Sequence, residues 1–416
     1  MRYYFASLLI IAIFIVPWFA TNYPAAGSVI VATIEKAGAE VAAVILVHKP
    51  VTVDQLKSDY ASAATPGNQK IRILVVPGHE PGYGGAEYRD IKERDMTVEL
   101  AKDLTNFLTK NERYEVFTTR YEDSWTPQFA DYFKSDWTQI GEWMRAHRAE
   151  VKDMARVGSY SHVTPTVYHN NVKDDVGLRL YGINKWADEN NIDIVVHIHF
   201  NDYPGHADGQ PGKYTGFSIY VPEKQYYNST STKALAQTVY KRLSKYNAVS
   251  NLPGESGGII EEQDLIAIGS FNSVDAASML IEYGYIYEPQ FQDPDVRHTT
   301  INELAYETYI GLLDFFEPER AAVVAKTYDT LVLPHQWSSD ITGKNDSPGD
   351  VFALQTALIL DGDYPPTGSS ANDCPRSGRL GPCTKAALDQ FQGKYDISGE
   401  KGIAGPKTID ALNRIF

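Results

Sequence analysis

The sequence predicts an α/β protein: a twisted mixed, mostly parallel sheet flanked by helices, plus a small C-terminal three-helix bundle. Three observations carry this. Apolar runs of strand length recur at Ile71–Val76, Ile192–Phe200, Gly216–Val221 and Ala277–Glu282. Segments of helical period separate them, as a sheet built from crossover units requires. Beyond Asp350 the strand-like runs stop, and a Gly-Pro-x-Thr element occurs twice, at Gly381–Thr384 and Gly405–Thr408, each time before a helical pattern.

Taken in order, residues 1–22 hold an apolar run (residues 4–20) behind Arg2. It reads as a membrane anchor or a signal peptide. Trp18 stands where a cleavage site before Ala20 wants a small residue, which favours the uncleaved anchor. Either way the bulk of the chain is exported. Residues 23–70 read as a spacer with a short helix around Val53–Ala64. Its apolar patch at 29–47 contains Glu35, Lys36 and Glu40, which argue against a second membrane span.

The strand Ile71–Val76 stops at Pro77-Gly78, and His79 follows at once. A Gly-rich loop with Gly82, Gly84 and Gly85 leads to a helix opened by Glu93, whose apolar face is Met96, Leu100, Leu104 and Leu108. Tyr114–Arg120 is the next strand. Residues 121–176 form a long insertion with Trp125, Trp137 and Trp143 and a helix expected over Trp137–Arg156. Helix follows at about Gly177–Asn190, at 231–246, and at 300–316, where the domain closes. The domain is thus 71–316, followed by a linker at 317–348 and a bundle at 349–416.

Val351, Leu354 and Leu358 mark the first bundle helix; Ala387, Leu388 and Phe391 the second; Ile409 and Leu412 the third. Both cysteines of the chain, Cys374 and Cys383, fall in this segment. A close pair in an exported protein predicts a local disulfide, and a bundle of this size gains from such a staple. The formal net charge of −15 leaves no basic footprint and excludes nucleic acid as the partner.

The chemistry sits at strand ends. His79, His199 and Glu282 each close an apolar run, and ligands of open α/β sheets bind outside the carboxyl ends of the strands. Glu93, one loop beyond His79, is a fourth candidate. Two histidines and a carboxylate suit zinc and leave it an open position, while the other carboxylate is free to act as general base. The bland reading of His79 and Glu93 is a surface histidine and a helix-start glutamate favoured by the dipole. His197 and His199 share a strand face; one ligates, and the other supports it or touches substrate. Glu282 is harder to explain blandly, because an unpartnered buried carboxylate is costly and a partner or a metal is expected nearby.

These motifs resemble the zinc-dependent N-acetylmuramoyl-L-alanine amidases (amidase type 3), whose pattern is a strand, DPGHGG and a Glu-Lys-Asp helix start. Here it reads VPGHEPGYGG and Glu93-Arg94-Asp95. Arg179 and Asn184 resemble the family's spaced Arg and Asn. Val196–Asn201 resembles its SIHAN strand, with Asn201 on the Asn, and Leu280–Tyr285 its LVEIGF strand. Departures are Val76 for Asp, Glu80 for Gly, His197 for Ser, and Tyr283 and Tyr285 for an aliphatic residue and Phe. None removes a ligand. The C-terminal segment resembles the small peptidoglycan-binding domain of wall hydrolases through Val351-Phe352-Ala353-Leu354-Gln355, Leu380–Thr384, Phe391-Gln392 and Gly402–Thr408, with an enlarged loop at 361–379.

The resemblance implies that His79, Glu93 and His199 hold Zn²⁺ and that Glu282 is the base. His197, Asn201 and Arg179 would bind substrate or support the ligands. The bond cut would join the lactyl group of muramic acid to L-alanine in peptidoglycan muropeptides. The insertion, with His162 and His169, would be a lid or cleft wall, or else a surface subdomain. A zinc peptidase on the same sheet and a non-catalytic wall-binding scaffold or activator are the competing readings.

Overall fold

The structure, a computed structural model, describes residues 49–167, 172–203, 206–207, 209–325 and 328–416. The apolar segment 4–20 and His169 lie outside the described residues. Among these, no helix is long and apolar enough to cross a membrane.

The chain opens with α1 (Val53–Ser62), β1 (Ile71–Pro77), the short hairpin β2 (Glu87–Tyr88) and β3 (Ile91–Lys92), then α2 (Glu93–Leu108) and β4 (Tyr114–Thr118). It continues through α3 (Pro127–Arg156), α4 (Asp174–Glu189), β5 (Ile194–Asn201), β6 (Ser218–Pro222), α5 (Ser229–Tyr246), β7 (Ile259–Glu262) and β8 (Ala277–Tyr285). It ends with α6 (Pro294–Phe316), α7 (Pro318–Val324), α8 (Pro348–Asp361), α9 (Pro382–Lys394) and α10 (Pro406–Ile415). The six-stranded sheet has the order β4-β1-β5-β8-β6-β7. All pairs are parallel except β6 with β8, so the sheet is mixed and mostly parallel.

Strand alternation divides the residues between two faces. Ile73, Val75, Ile194, Val196, Ile198, Met279 and Ile281 enter the main core with Leu100 and Leu104 of α2, Val239 of α5 and Leu304 of α6. The alternate residues point to the opposite face. There His197 pairs with Val76 on one side and Leu280 on the other, and His199 pairs with Glu282. The polar candidates therefore share one face because they share one parity along neighbouring strands.

The insertion is more helical than its sequence suggests. Helix α3 starts ten residues before the expected Trp137, at Pro127, in the first-turn position proline favours. Phe129 of α3 packs on Trp186 of α4, ring centroids 4.8 Å apart. The strand β7 and the hairpin β2–β3 went unread; each is four residues or fewer. Part of the expected spacer joins the domain: Leu56 and Tyr60, one helical turn apart on α1, are buried, and Tyr60 stacks on Phe316 at 4.4 Å.

Helices α8, α9 and α10 each begin at a proline, and in α9 and α10 glycine is the N-cap. This is the structural content of the Gly-Pro repeat. Gln392 Nε2 donates to Glu400 O (2.8 Å), Ile403 O (2.7 Å) and Thr408 Oγ1 (2.9 Å), tying the turn before α10. The bundle core reaches back into the expected linker, since Leu333, Trp337 and Ile341 pack with Leu354, Leu388 and Leu412. Loop 362–379 joins bundle to sheet domain. Arg376 pairs with Glu303 of α6, and Asn372 Nδ2 donates to Val249 O at 2.9 Å.

Cys374 and Cys383 are disulfide-bonded, with Cα atoms 5.7 Å apart. Closing so short a loop stabilises by about 2–3 kcal/mol on chain-entropy grounds. Replacing both cysteines with serine is expected to lower the chemical-denaturation midpoint accordingly. An unchanged midpoint would mean that the docking contacts alone hold the loop.

Candidate metal centre and cleft

His79 follows β1 after one residue and has φ +68, a backbone region that a side chain other than glycine's seldom occupies. Arg120, buried just past β4, holds this corner. Its Nε donates to Pro77 O (3.3 Å), and its Nη2 to Gly78 O and to Arg94 O (2.9 Å). Burial lowers its pKa to about 10 despite the nearby carboxylates, so it stays charged. Glu93 begins α2 from a buried position. Its Oε2 accepts from Ala86 N (2.8 Å) and its Oε1 from Phe200 N (3.0 Å).

These supports bring His79, Glu93 and His199 together. Glu93 Oε1 lies 2.7 Å from His79 Nε2 and 3.1 Å from His199 Nδ1. One donor atom from each residue falls within 4.8 Å of the others, a group able to hold a metal ion. His79 Nε2 is buried and makes no hydrogen bond of normal geometry despite its short distance to Glu93. Two donor atoms close together but not aimed at each other fit a shared cation. Burial works to raise the pKa of Glu93, but His79 and His199 outweigh it and hold the carboxyl below its usual range. Burial lowers the pKa of His199, leaving the neutral imidazole that metal binding needs. The donor set of two nitrogens and one oxygen is one zinc accepts.

Two glycines make room. A Cβ on Gly78 would sit 2.5–2.8 Å from ring atoms of His199, and one on Gly85 2.8 Å from His79 Cδ2. Gly78→Ala is expected to displace the His199 ring and weaken metal affinity by about 10- to 100-fold, the effect of losing a ligand's support. Competition with a chromogenic chelator measures it. Unaltered affinity in a folded variant would place His199 outside the metal's shell.

Glu282 stands beside His199 on β8, and its Oε2 is buried without a hydrogen-bond partner. Burial, then the charges of Glu93 and Glu255, raise its pKa well above the usual carboxylate value. A cation in the adjacent cluster opposes that rise. Asn201 donates to Glu255 at 3.2 Å. Glu255 also accepts from the hydroxyls of Tyr220, Ser250 and Tyr285. Sequence reasoning missed Glu255 and Arg120, whose partners come from segments with no shared motif.

A cavity of about 410 Å³ adjoins the cluster, and His79, His197 and His199 are in its lining. The insertion supplies Trp125, Val167 and Val172 to its wall. Arg179 lies in the same lining and is paired with Glu80 at 2.8 Å and with Asp175. The Glu80 departure thus has a partner. His197 is fully buried, and burial, reinforced by His199, lowers its pKa to about 3. Asn184 does not reach the cavity; it donates to Ile266 O at 2.8 Å and holds the turn after β7.

Residues 159–308 match the family described as N-acetylmuramoyl-L-alanine amidase. His199 and Glu282 lie inside that span, and His79 and Glu93 precede it, beyond α3. No curated protein sequence matches the chain. Among solved structures, the chain resembles an N-acetylmuramoyl-L-alanine amidase from Clostridium difficile 630 at 18% identity, over 61% of this chain and 100% of that one, with TM-score 0.38. The CwlD amidase from Clostridioides difficile, solved in complex with the GerS lipoprotein, gives 16%, 60%, 100% and 0.39. An N-acetylmuramyl-L-alanine amidase from Mycobacterium smegmatis gives 15%, 61%, 100% and 0.39. At these values the superpositions bear on neither substrate nor mechanism.

Proposed function

Since the domain matched over residues 159–308 makes this chain an N-acetylmuramoyl-L-alanine amidase, a cell-wall hydrolase, we propose that it cuts the lactyl–L-alanine amide of peptidoglycan with His79, Glu93 and His199 as zinc ligands and Glu282 as general base. One observation carries the reading. Three donor atoms converge within 4.8 Å, and the carboxylate on the adjoining strand keeps a buried oxygen without a partner.

Zinc, when bound, supplies Lewis-acid polarisation of the amide and lowers the pKa of a ligand water to about 7. The chain's residues do the rest. Glu282 Oε2, with no internal hydrogen bond to break, takes the proton of the attacking water and returns it to the leaving alanine nitrogen. Phe200 N and Ala86 N fix the Glu93 carboxylate, and Arg120 fixes the backbone that presents His79. Trp125, Val167 and Val172 act as a cleft wall that limits water around the scissile bond.

Residues 71–316 would be the catalytic domain and 349–416 the wall-binding domain. The second keeps the first on an insoluble polymer by raising its effective concentration. Residues 1–22 would anchor the enzyme at the outer face of the membrane, and the Cys374–Cys383 disulfide suits an exported location. The test is metal content with dye release from labelled sacculi. About one zinc per chain with release is expected; zinc with no release from any wall would favour a scaffold.

A further inference from the structure

We propose that the cavity beside the metal cluster is a binding site for an aliphatic ammonium group held by the Glu262 carboxylate, with His197 lining the same cavity three strands away. Both residues line the cavity. They are 2% and 1% exposed, and Glu262 Oε2 and His197 Nε2 are each buried without a hydrogen-bond partner. The sheet explains their common face. His197 of β5 pairs with Leu280 of β8, Leu280 with Tyr220 of β6, and Tyr220 with Ile260 of β7, two residues before Glu262.

The other Glu262 oxygen is in use: Oε1 accepts from Gln263 N at 2.9 Å and from Asp264 N at 3.1 Å. That holds the carboxylate in place with one acceptor left over. A buried acceptor without a donor is unfavourable, so a ligand bringing an N–H group gains there what it loses in hydration. The walls select the rest of the ligand. Val167, Val172 and Leu265 are apolar and suit a methylene chain.

Charge selects the sign. The lining holds Glu80, Glu262 and Asp264 against one guanidinium, Arg179, which Glu80 and Asp175 already occupy. Away from the metal cluster, an anionic ligand meets no open guanidinium or ammonium among the described lining residues, whereas a cationic one meets an open carboxylate oxygen, and charge-assisted hydrogen bonds are the stronger kind. In the proposed substrate the group would be the side-chain amine of a basic stem-peptide residue. That last assignment rests on the amidase reading, while the ammonium site itself does not.

Isothermal titration of the full chain with the tripeptide L-Ala-D-Glu-L-Lys, its N-terminus acetylated throughout and its side-chain amine either free or acetylated, tests the site. The free amine is expected to bind about tenfold more tightly or better, as one charge-assisted pair allows. Glu262→Gln, which keeps an acceptor for the Gln263 and Asp264 amides, is expected to bring the ratio to within about twofold. Equal affinities in the wild type, no binding of the free amine, or an undiminished ratio in the variant would each overturn the proposal. Failure of the amidase reading shows separately, as no release from sacculi by the same preparation.

Discussion

Glu282→Gln is expected to lower release from sacculi by about 100- to 10,000-fold, the range for loss of a positioned general base, while zinc content stays unchanged. The amide fills the carboxylate's space, so no void forms in β8, and the rung with His199 is untouched. What changes is the oxygen without an internal partner. As a carboxylate it can hold a proton between water and leaving amine; as an amide it cannot. Metal analysis beside the rate separates a lost base from a lost ligand. A variant that loses zinc in parallel with activity would move Glu282 into the ligand set, and one with normal release would remove it from the mechanism.

The second large effect is expected at Glu93. Glu93→Gln should reduce zinc to well below about one per chain and abolish release, because a neutral amide is a poor zinc ligand beside a carboxylate. The amide oxygen can still accept from Phe200 N or from Ala86 N but not from both, so a circular-dichroism check that the variant is folded goes with the metal analysis. Excess zinc is expected to restore part of the activity. Full zinc content without activity would mean that Glu93 acts on the proton instead.

Much of this was legible in the sequence because apolar strands broadcast their ends. His79, His199 and Glu282 each end a run of buried residues, and the common parity of His199 and Glu282 on neighbouring strands gives those two one face. The Gly-rich loop was legible as a turn, but its steric role was not: only packing reveals that a Cβ at Gly85 would strike His79. Glu255 and Glu262 were not legible. Their meaning lies in donors brought from β5, β6 and β8, or in a missing donor, and no local pattern encodes either. The insertion is legible as long and aromatic, yet its helix runs ten residues further than the Trp137 start suggests, because Pro127 takes the first-turn position that proline favours. The linker is shorter than the expected 317–348 because Leu333, Trp337 and Ile341, too sparse in sequence to mark a core, pack into the bundle. Val76 is the rung partner of His197 in the cavity lining, so the two departures from the family pattern lie side by side.

The central claim is the bond that is cut. Mass spectrometry of sacculi digested with the zinc-loaded full chain tests it most directly. Intact stem peptides with a free L-alanine amine, and glycan strands retaining the lactyl carboxylate, are expected. Stem peptides cut internally, with alanine still joined to muramic acid, would contradict it and point to a peptidase on the same sheet.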